Sequence, residues 1–183
     1  RVAPTLMAAI DRAVQLCRRT LDYVREDGPR LERTRFALAA LVDELGQVLA
    51  APGGRSFTVR NLVPRGLEIE ADRDLVFRVL SNLGHNAVAA GAATLTVVAE
   101  DEDGRLALVV ADDGPGLPPK ALANLFQPFS GAGRAGGTGL GLAIARELMR
   151  AHGGDATLLK TDAEGTSFRL VMPLNGVPAR RAA

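Results

Sequence analysis

The sequence predicts an α+β fold: a two-layer α/β sandwich, one sheet with helices on one face, preceded by one long amphipathic helix. Three observations predict it. Apolar residues recur at helical steps in separated segments, short alternating runs lie between them, and Asp, Gly or Pro punctuates most of the joins.

The opening segment from Val2 to Val24 places Leu6, Ile10, Ala13, Cys17 and Leu21 at three- and four-residue steps among Arg, Asp and Glu. This is an amphipathic helix whose stripe needs a partner, and Asp27-Gly28-Pro29 closes it. Phe36-Ala37-Leu38 reads as a short strand leading into a helix from Ala39 to Leu49, interrupted by Gly53 and Gly54. Phe57 to Leu62 and Leu67 to Ile69 alternate and read as strands paired with each other.

Asp72 then predicts the N-cap of a long helix through Ala90. Strands Ala93 to Glu100 and Arg105 to Ala111 meet at Asp103-Gly104, a hairpin turn signal. Pro118 to Leu125 reads as a short helix opened by proline, and the glycine-rich stretch Gln127 to Gly137 as a mobile loop. A helix from Thr138 to His152 ends at Gly153-Gly154, and strands Ala156 to Thr161 and Ser167 to Met172 close the fold. The domains are expected at 1–29, the opening helix, and 30–176, the sandwich, with 177–183 as a tail.

Bulk properties narrow the function. At 183 residues, 47% apolar and 23% charged, the chain suits one packed domain plus an appendage. A formal charge of +1, with arginines interspersed among acids, offers no footprint for nucleic acid. The single Cys17 reads as a small buried residue in a reducing compartment. No apolar run approaches the roughly 20 residues that cross a bilayer. There is no secretory signal and no initial Met, so the chain reads as a cytoplasmic piece of a longer protein, without membrane contact of its own.

Three places carry chemistry. On the long helix, the face begun by Leu75 and Val79 continues with Asn82 and Asn86, two carboxamides one turn apart. Burying an amide without partners costs roughly 1 to 3 kcal/mol, so something should satisfy them. They are either hydrogen-bonded core amides or part of a metal–nucleotide site, an Asn carbonyl being a hard oxygen that Mg²⁺ accepts beside phosphate and water.

At Val110-Ala111-Asp112-Asp113-Gly114-Pro115-Gly116-Leu117 a strand ends on a carboxylate, and two glycines then allow a tight approach to a flat ligand. The alternative is an ordinary Asp-Gly turn. Gly136-Gly137-Thr138-Gly139-Leu140-Gly141-Leu142 runs into a helix whose core face is Leu140, Ile144 and Leu148. It is either a flexible loop or a phosphate cradle, where free amides meet the positive end of a helix dipole. Neither Lys120 nor Lys160 follows the glycines of a GxxxxGK[ST] loop, and the GxGxxG match at Gly131 to Gly136 follows no strand, so both dinucleotide and P-loop readings are set aside.

In this order the motifs resemble the GHKL superfamily, whose ATP-binding domain has the Bergerat fold, and within it the sensor histidine kinases of proteobacterial type. Asn82-Leu83-Gly84-His85-Asn86-Ala87 is similar to the N box and Asp112 to Gly116 to the G1 box. Leu125-Phe126-Gln127-Pro128-Phe129 is similar to the F box, and Gly137 to Leu142 to the G2 box. Residues from about 36 to 174 resemble the catalytic domain. The opening helix resembles the second helix of the dimerisation and phosphoacceptor hairpin.

The resemblance implies ATP and Mg²⁺ as ligands, with Asn86 holding the metal and Asp112 reading the adenine amino group. Gly114, Gly116 and Leu117 would shape the base pocket, with Thr166 supporting Asp112 through its hydroxyl. Phe126 and the loop to Gly137 would form a lid. Thr138, Gly139, Leu140, Gly141 and Leu142 would line the phosphates. The cation that many members carry three residues after the metal-binding Asn is here Ala89, leaving His85 or Arg134 to serve the phosphate.

One position separates kinases from ATPase clamps of the Hsp90, gyrase and mismatch-repair types, which place a water-activating Glu one turn before that Asn. Here it is Asn82, which takes no proton from water. Neither His85 nor His152 lies on the opening helix, so the acceptor histidine is expected before Arg1, and this chain is not expected to phosphorylate itself. The implied function is γ-phosphoryl transfer to a hairpin histidine of the homodimeric parent, for relay to a response regulator receiver domain. A nucleotide-sensing module without chemistry and a clamp are the alternatives.

Overall fold

The computed structural model describes residues 31–50, 56–102, 104–128 and 139–174. The opening helix, the expected tail and nearly all of the expected lid lie outside the described residues. The elements run β1 (Arg33–Ala37), α1 (Leu38–Leu49), β2 (Thr58–Asn61), β3 (Glu68–Asp72) and α2 (Arg73–Ala90). The hairpin of β4 (Thr94–Glu102) and β5 (Arg105–Asp112) follows, then α3 (Pro119–Leu122), α4 (Gly141–Ala151) and the hairpin of β6 (Asp155–Asp162) and β7 (Gly165–Pro173).

Five strands form one sheet in the order β2-β4-β5-β7-β6, antiparallel except for β2 beside β4. Strand alternation sorts its two faces. On the inner face, Leu95, Val97 and Ala99 of β4 pair with Asp112, Val110 and Leu108 of β5. Val110 and Leu108 pair in turn with Phe168 and Leu170 of β7. These apolar positions are buried and join the buried faces of α1, α2 and α4 in one core. Thr94, Thr96 and Val98 alternate outward and stay half-exposed. Each fully buried Leu contributes on the order of 1.5–3 kcal/mol.

Local chemistry sets the helix limits. The Asp72 Oδ1 accepts from the Leu75 N–H at 3.1 Å, capping α2, and Gly91 at φ 88° ends it in the left-handed conformation. A side chain at Gly84 would lie 2.4 Å from the Leu49 Cδ1, so this glycine lets α1 and α2 approach.

Three expectations need correction. β2 and β3 do not pair with each other. β3 pairs antiparallel with β1 in a separate two-stranded ribbon, and β2 runs parallel to β4. A parallel pair needs a long crossover, which α2 supplies, while only six residues separate the two strands expected to form a hairpin. The helix expected from Thr138 starts at Gly141. Gly139 at φ 68° is left-handed and cannot belong to a right-handed helix. α3 is also a single turn, shorter than the expected segment to Leu125.

Candidate functional site

On α2, Asn82 and Asn86 share the side that meets the start of α4. The Asn82 Nδ2 donates to the Gly141 carbonyl at 3.2 Å. A Cβ built on Gly141 would stand 3.8 Å from both the Asn82 Cβ and the Asn86 Nδ2. Asn82 is half-buried, whereas Asn86 is exposed and its amide has no hydrogen bond among the described residues. The two amides are therefore not an equivalent buried pair. Beside them the first intrahelical bond of α4 runs from the Ile144 N–H to the Leu140 carbonyl at 2.9 Å, leaving the preceding amides of the first turn without helical acceptors. Leu140 is buried and Leu142 half-buried, anchoring that turn in the core. His85 is exposed, and its Nδ1 donates to the Ser81 carbonyl at 2.8 Å, leaving Nε2 without a hydrogen bond among the described residues. Arg134, Gly137 and Thr138 lie outside the described residues.

The second part of the site is a row of side chains across four strands. Leu95, Asp112, Thr166 and Thr161 are successive register partners on β4, β5, β7 and β6. Asp112 is half-buried, and its two oxygens differ. Oδ1 accepts from the Gly114 N–H at 2.9 Å and the Thr166 N–H at 3.3 Å. Oδ2 carries no hydrogen bond among the described residues. Burial pushes the carboxyl above its usual range, aided by the negative charge of Asp113 and opposed by the two amide donors.

Asp113 turns away. Its Oδ1 accepts from the Ala93 and Thr94 amides at 2.7 and 2.8 Å and closes the end of β4. The adjacent carboxylates thus have separate tasks, one structural and one left open. The G1 loop then folds on the end of α2: a Cβ at Gly114 would sit 3.5 Å from that of Ala92 and 3.8 Å from that of Ala90. At Gly116, φ is 75°, and a Cβ would lie 2.1 Å from the Asp162 carbonyl oxygen. Only glycine allows that approach.

Phe126 packs edge-on against Phe168, with centroids 6.4 Å apart at 76°. The Arg146 guanidinium stands 4.8 Å over the Phe126 ring and grips Asp155 through Nε and Nη2 at 2.8 and 3.0 Å. The start of the expected lid is thereby tied to β7 and α4. Arg146 and Asp155 escaped sequence reasoning because their spacing suggests only surface charge. Thr161, which accepts from the Leu117 N–H at 2.8 Å, escaped it as well. Its one signal was alternation, which places it in the row with Thr166.

His152 is 1% exposed, donates through Nδ1 to the Leu148 carbonyl at 2.7 Å and accepts the Asp72 N–H on Nε2 at 3.2 Å. Both ring nitrogens are engaged, so it serves the fold.

A family model described as histidine kinase-, DNA gyrase B-, and HSP90-like ATPase matches residues 71–176. The sensor histidine kinase WalK of Bacillus subtilis is 36% identical over 124 residues, 63% of this chain and 20% of WalK. The sensor protein CutS of Streptomyces coelicolor is 31% identical over 183 residues, 95% of this chain and 44% of CutS. The chain thus spans between a fifth and under a half of these two relatives' lengths. Among solved structures, full-length ShkA in complex with AMPPNP superposes with a TM-score of 0.70 at 27% identity, over 87% of this chain and 35% of that one. The catalytic domain of the histidine kinase ThkA, in a nucleotide-free form, gives 0.63 at 26% identity, over 79% and 97%.

Proposed function

The chain belongs to the histidine kinase-, DNA gyrase B-, and HSP90-like ATPase family, and on that premise we propose that it is the ATP-binding catalytic domain of a sensor histidine kinase, the donor of the γ-phosphoryl group. The observation that carries the proposal is the Asn82–Gly141 hydrogen bond. It sets the exposed amide of Asn86 beside the open first turn of α4, a hard oxygen next to free amides and a positive helix end. Among the described residues no three His, Cys, Asp or Glu side chains converge on a metal, so Mg²⁺ would depend on Asn86 together with phosphate oxygens and water. This donor set fits Mg-nucleotide and not an all-protein metal cage. Bound Mg²⁺ supplies neutralisation of the phosphate charge.

The chain's own groups bind and orient. Asp112 Oδ2 accepts from the adenine amino group, Gly114, Gly116 and Leu117 form the turn against the base, and Thr166 supports them. Gly139, Leu140, Gly141 and Leu142 present the phosphate end, with Gly137, Thr138 and Arg134 in the lid that Phe126 roots. His85 Nε2 and Arg134 are the candidate phosphate contacts. Asn82 is committed to Gly141 and has no basicity, which spares ATP from attack by water and favours transfer over the clamp reaction.

The acceptor is a histidine of the parent's dimeric hairpin, and a response regulator aspartate takes the phosphoryl group next. His152 is excluded as acceptor by burial and by its two hydrogen bonds.

The test adds radiolabelled Mg-ATP and a separately prepared hairpin of the parent kinase. Acid-labile label on the hairpin that depends on this chain, and disappears with Asn86→Ala, is the expected result. Bound ATP with no transferred label, or equal transfer by Asn86→Ala, overturns the proposal.

A further inference from the structure

Thr161 has a task that the nucleotide site does not by itself require. Its Oγ1 accepts from the Leu117 N–H at 2.8 Å and lies 3.2 Å from the Thr166 Oγ1. Thr166 is 4% exposed, and Thr161 is its hydroxyl's partner among the described residues. Each hydroxyl has one proton, so the chain of bonds has a direction. An amide donating into the Thr161 oxygen polarises that hydroxyl and strengthens it as a donor, the usual cooperativity of linked hydrogen bonds. With Thr161 as the donor of this pair, the direction the amide favours, the Thr166 proton is left to point elsewhere.

It cannot be spent on Asp112 Oδ1, which already accepts from Gly114 and from the Thr166 amide. The row order places Thr166 directly beside Asp112. With that direction the outgoing proton and the open Oδ2 belong to paired residues of the row, a donor beside an acceptor. Adenine offers the complementary pair along one edge, an amino donor beside the ring acceptor N1. Guanine offers the reverse, an oxo acceptor beside N1–H.

We infer that Thr161 is a specificity-determining positioning residue: it takes the Leu117 amide, sets the direction of the Thr161–Thr166 hydroxyl chain, and so turns a donor toward the purine N1, directly or across one water. The inference rests on the ATP reading above and adds to it the residue that selects for the N1 acceptor.

The test measures dissociation constants of the chain for Mg-ATP and for the 1-deaza analogue of ATP, which keeps the amino group and lacks the acceptor. Wild type should prefer ATP by about three- to tenfold, the range of one net hydrogen bond. Thr161→Val and Thr161→Ala should bring that ratio close to one by weakening ATP alone, and Thr161→Ser, which restores the hydroxyl, should recover it. Thermal midpoints of all variants identify those that fold, and Thr161→Ser, keeping the hydroxyl, provides the comparison if one of the others does not. Equal weakening of both nucleotides by Thr161→Val or Thr161→Ala, which a merely structural role gives, overturns the inference, as does a wild-type ratio of one. Failure of wild type to bind ATP at all overturns the ATP reading and the inference together, whereas tight ATP binding with an unchanged ratio in the variants overturns the inference alone.

Discussion

Replacing Asp112 with Asn separates recognition from folding. Oδ1 accepts two amides, at 2.9 Å from Gly114 and 3.3 Å from Thr166, and only an oxygen can stay there. The Asn carbonyl must therefore take the Oδ1 place, and its NH₂ is forced into the position of Oδ2, facing the adenine amino group donor to donor. Losing a hydrogen bond to a charged acceptor costs about 1.5–3 kcal/mol, or roughly 10- to 150-fold in affinity. Stability moves the other way. Burial raises the Asp112 carboxyl above 3.8, so its favourable contribution to folding is complete below pH 3.8 and is lost as pH rises through the raised value. At neutral pH the carboxylate is a cost that the neutral amide removes, so the thermal midpoint of Asp112→Asn should equal or exceed that of wild type. Calorimetric titration with Mg-ATP and thermal unfolding by circular dichroism read both. ATP affinity within twofold of wild type, or a midpoint several degrees lower, would refute this reasoning.

Three further outcomes follow from the geometry. Gly116→Ala places a Cβ 2.1 Å from the Asp162 carbonyl at φ 75°, and a strained non-glycine residue costs about 1–3 kcal/mol, so the thermal midpoint should fall by roughly 2–12 °C with ATP binding lost as well. Asn86→Ala, at an exposed side chain without hydrogen bonds among the described residues, should leave the midpoint within about 1 °C while Mg²⁺ ceases to strengthen ATP binding, as titration with and without the metal would show. His152 is held below 6.5, first by burial and then by the Arg33 charge, against the Leu148 carbonyl and Asp72. Its contribution is present above pH 6.5 and lost as pH falls through the depressed value, so urea unfolding should show stability declining in acid, and His152→Gln should flatten that decline.

Much of this was legible in the sequence, for local reasons. Asp72 and Gly91 bound α2 through their own side chain and backbone, and the two hairpins carry their turn chemistry between strands. The segments that carry the four motifs lie on α2, at the end of β5, just after α3 and at the start of α4, the last two only in their described residues. What was not legible depends on partners far along the chain. β2 reads as a hairpin strand because its neighbour in sequence is near, and its neighbour in space, β4, lies beyond a helix. The α4 start turns on one left-handed glycine. In the site, adjacent Asp112 and Asp113 look alike as letters, and alternation about a strand end sends one inward and one to the Ala93 and Thr94 amides. Thr161 and Arg146 owe their places to pairings across the sheet and to α4, which no local pattern announces.

The row of Leu95, Asp112, Thr166 and Thr161 imposes a parity rule on change in this protein. One residue inserted into β5 would send Asp112 to the side of Thr96, and the loop behind it would lose its carboxylate. Two residues would keep the side and move Asp112 one step out of line with Thr166. Because β5 is held on both flanks, by β4 and by β7, neither shift can be absorbed by the strand alone. Length variation in relatives, and grafts made by design, should therefore collect in the turns between strands, leaving the strands' residue count before Asp112 untouched.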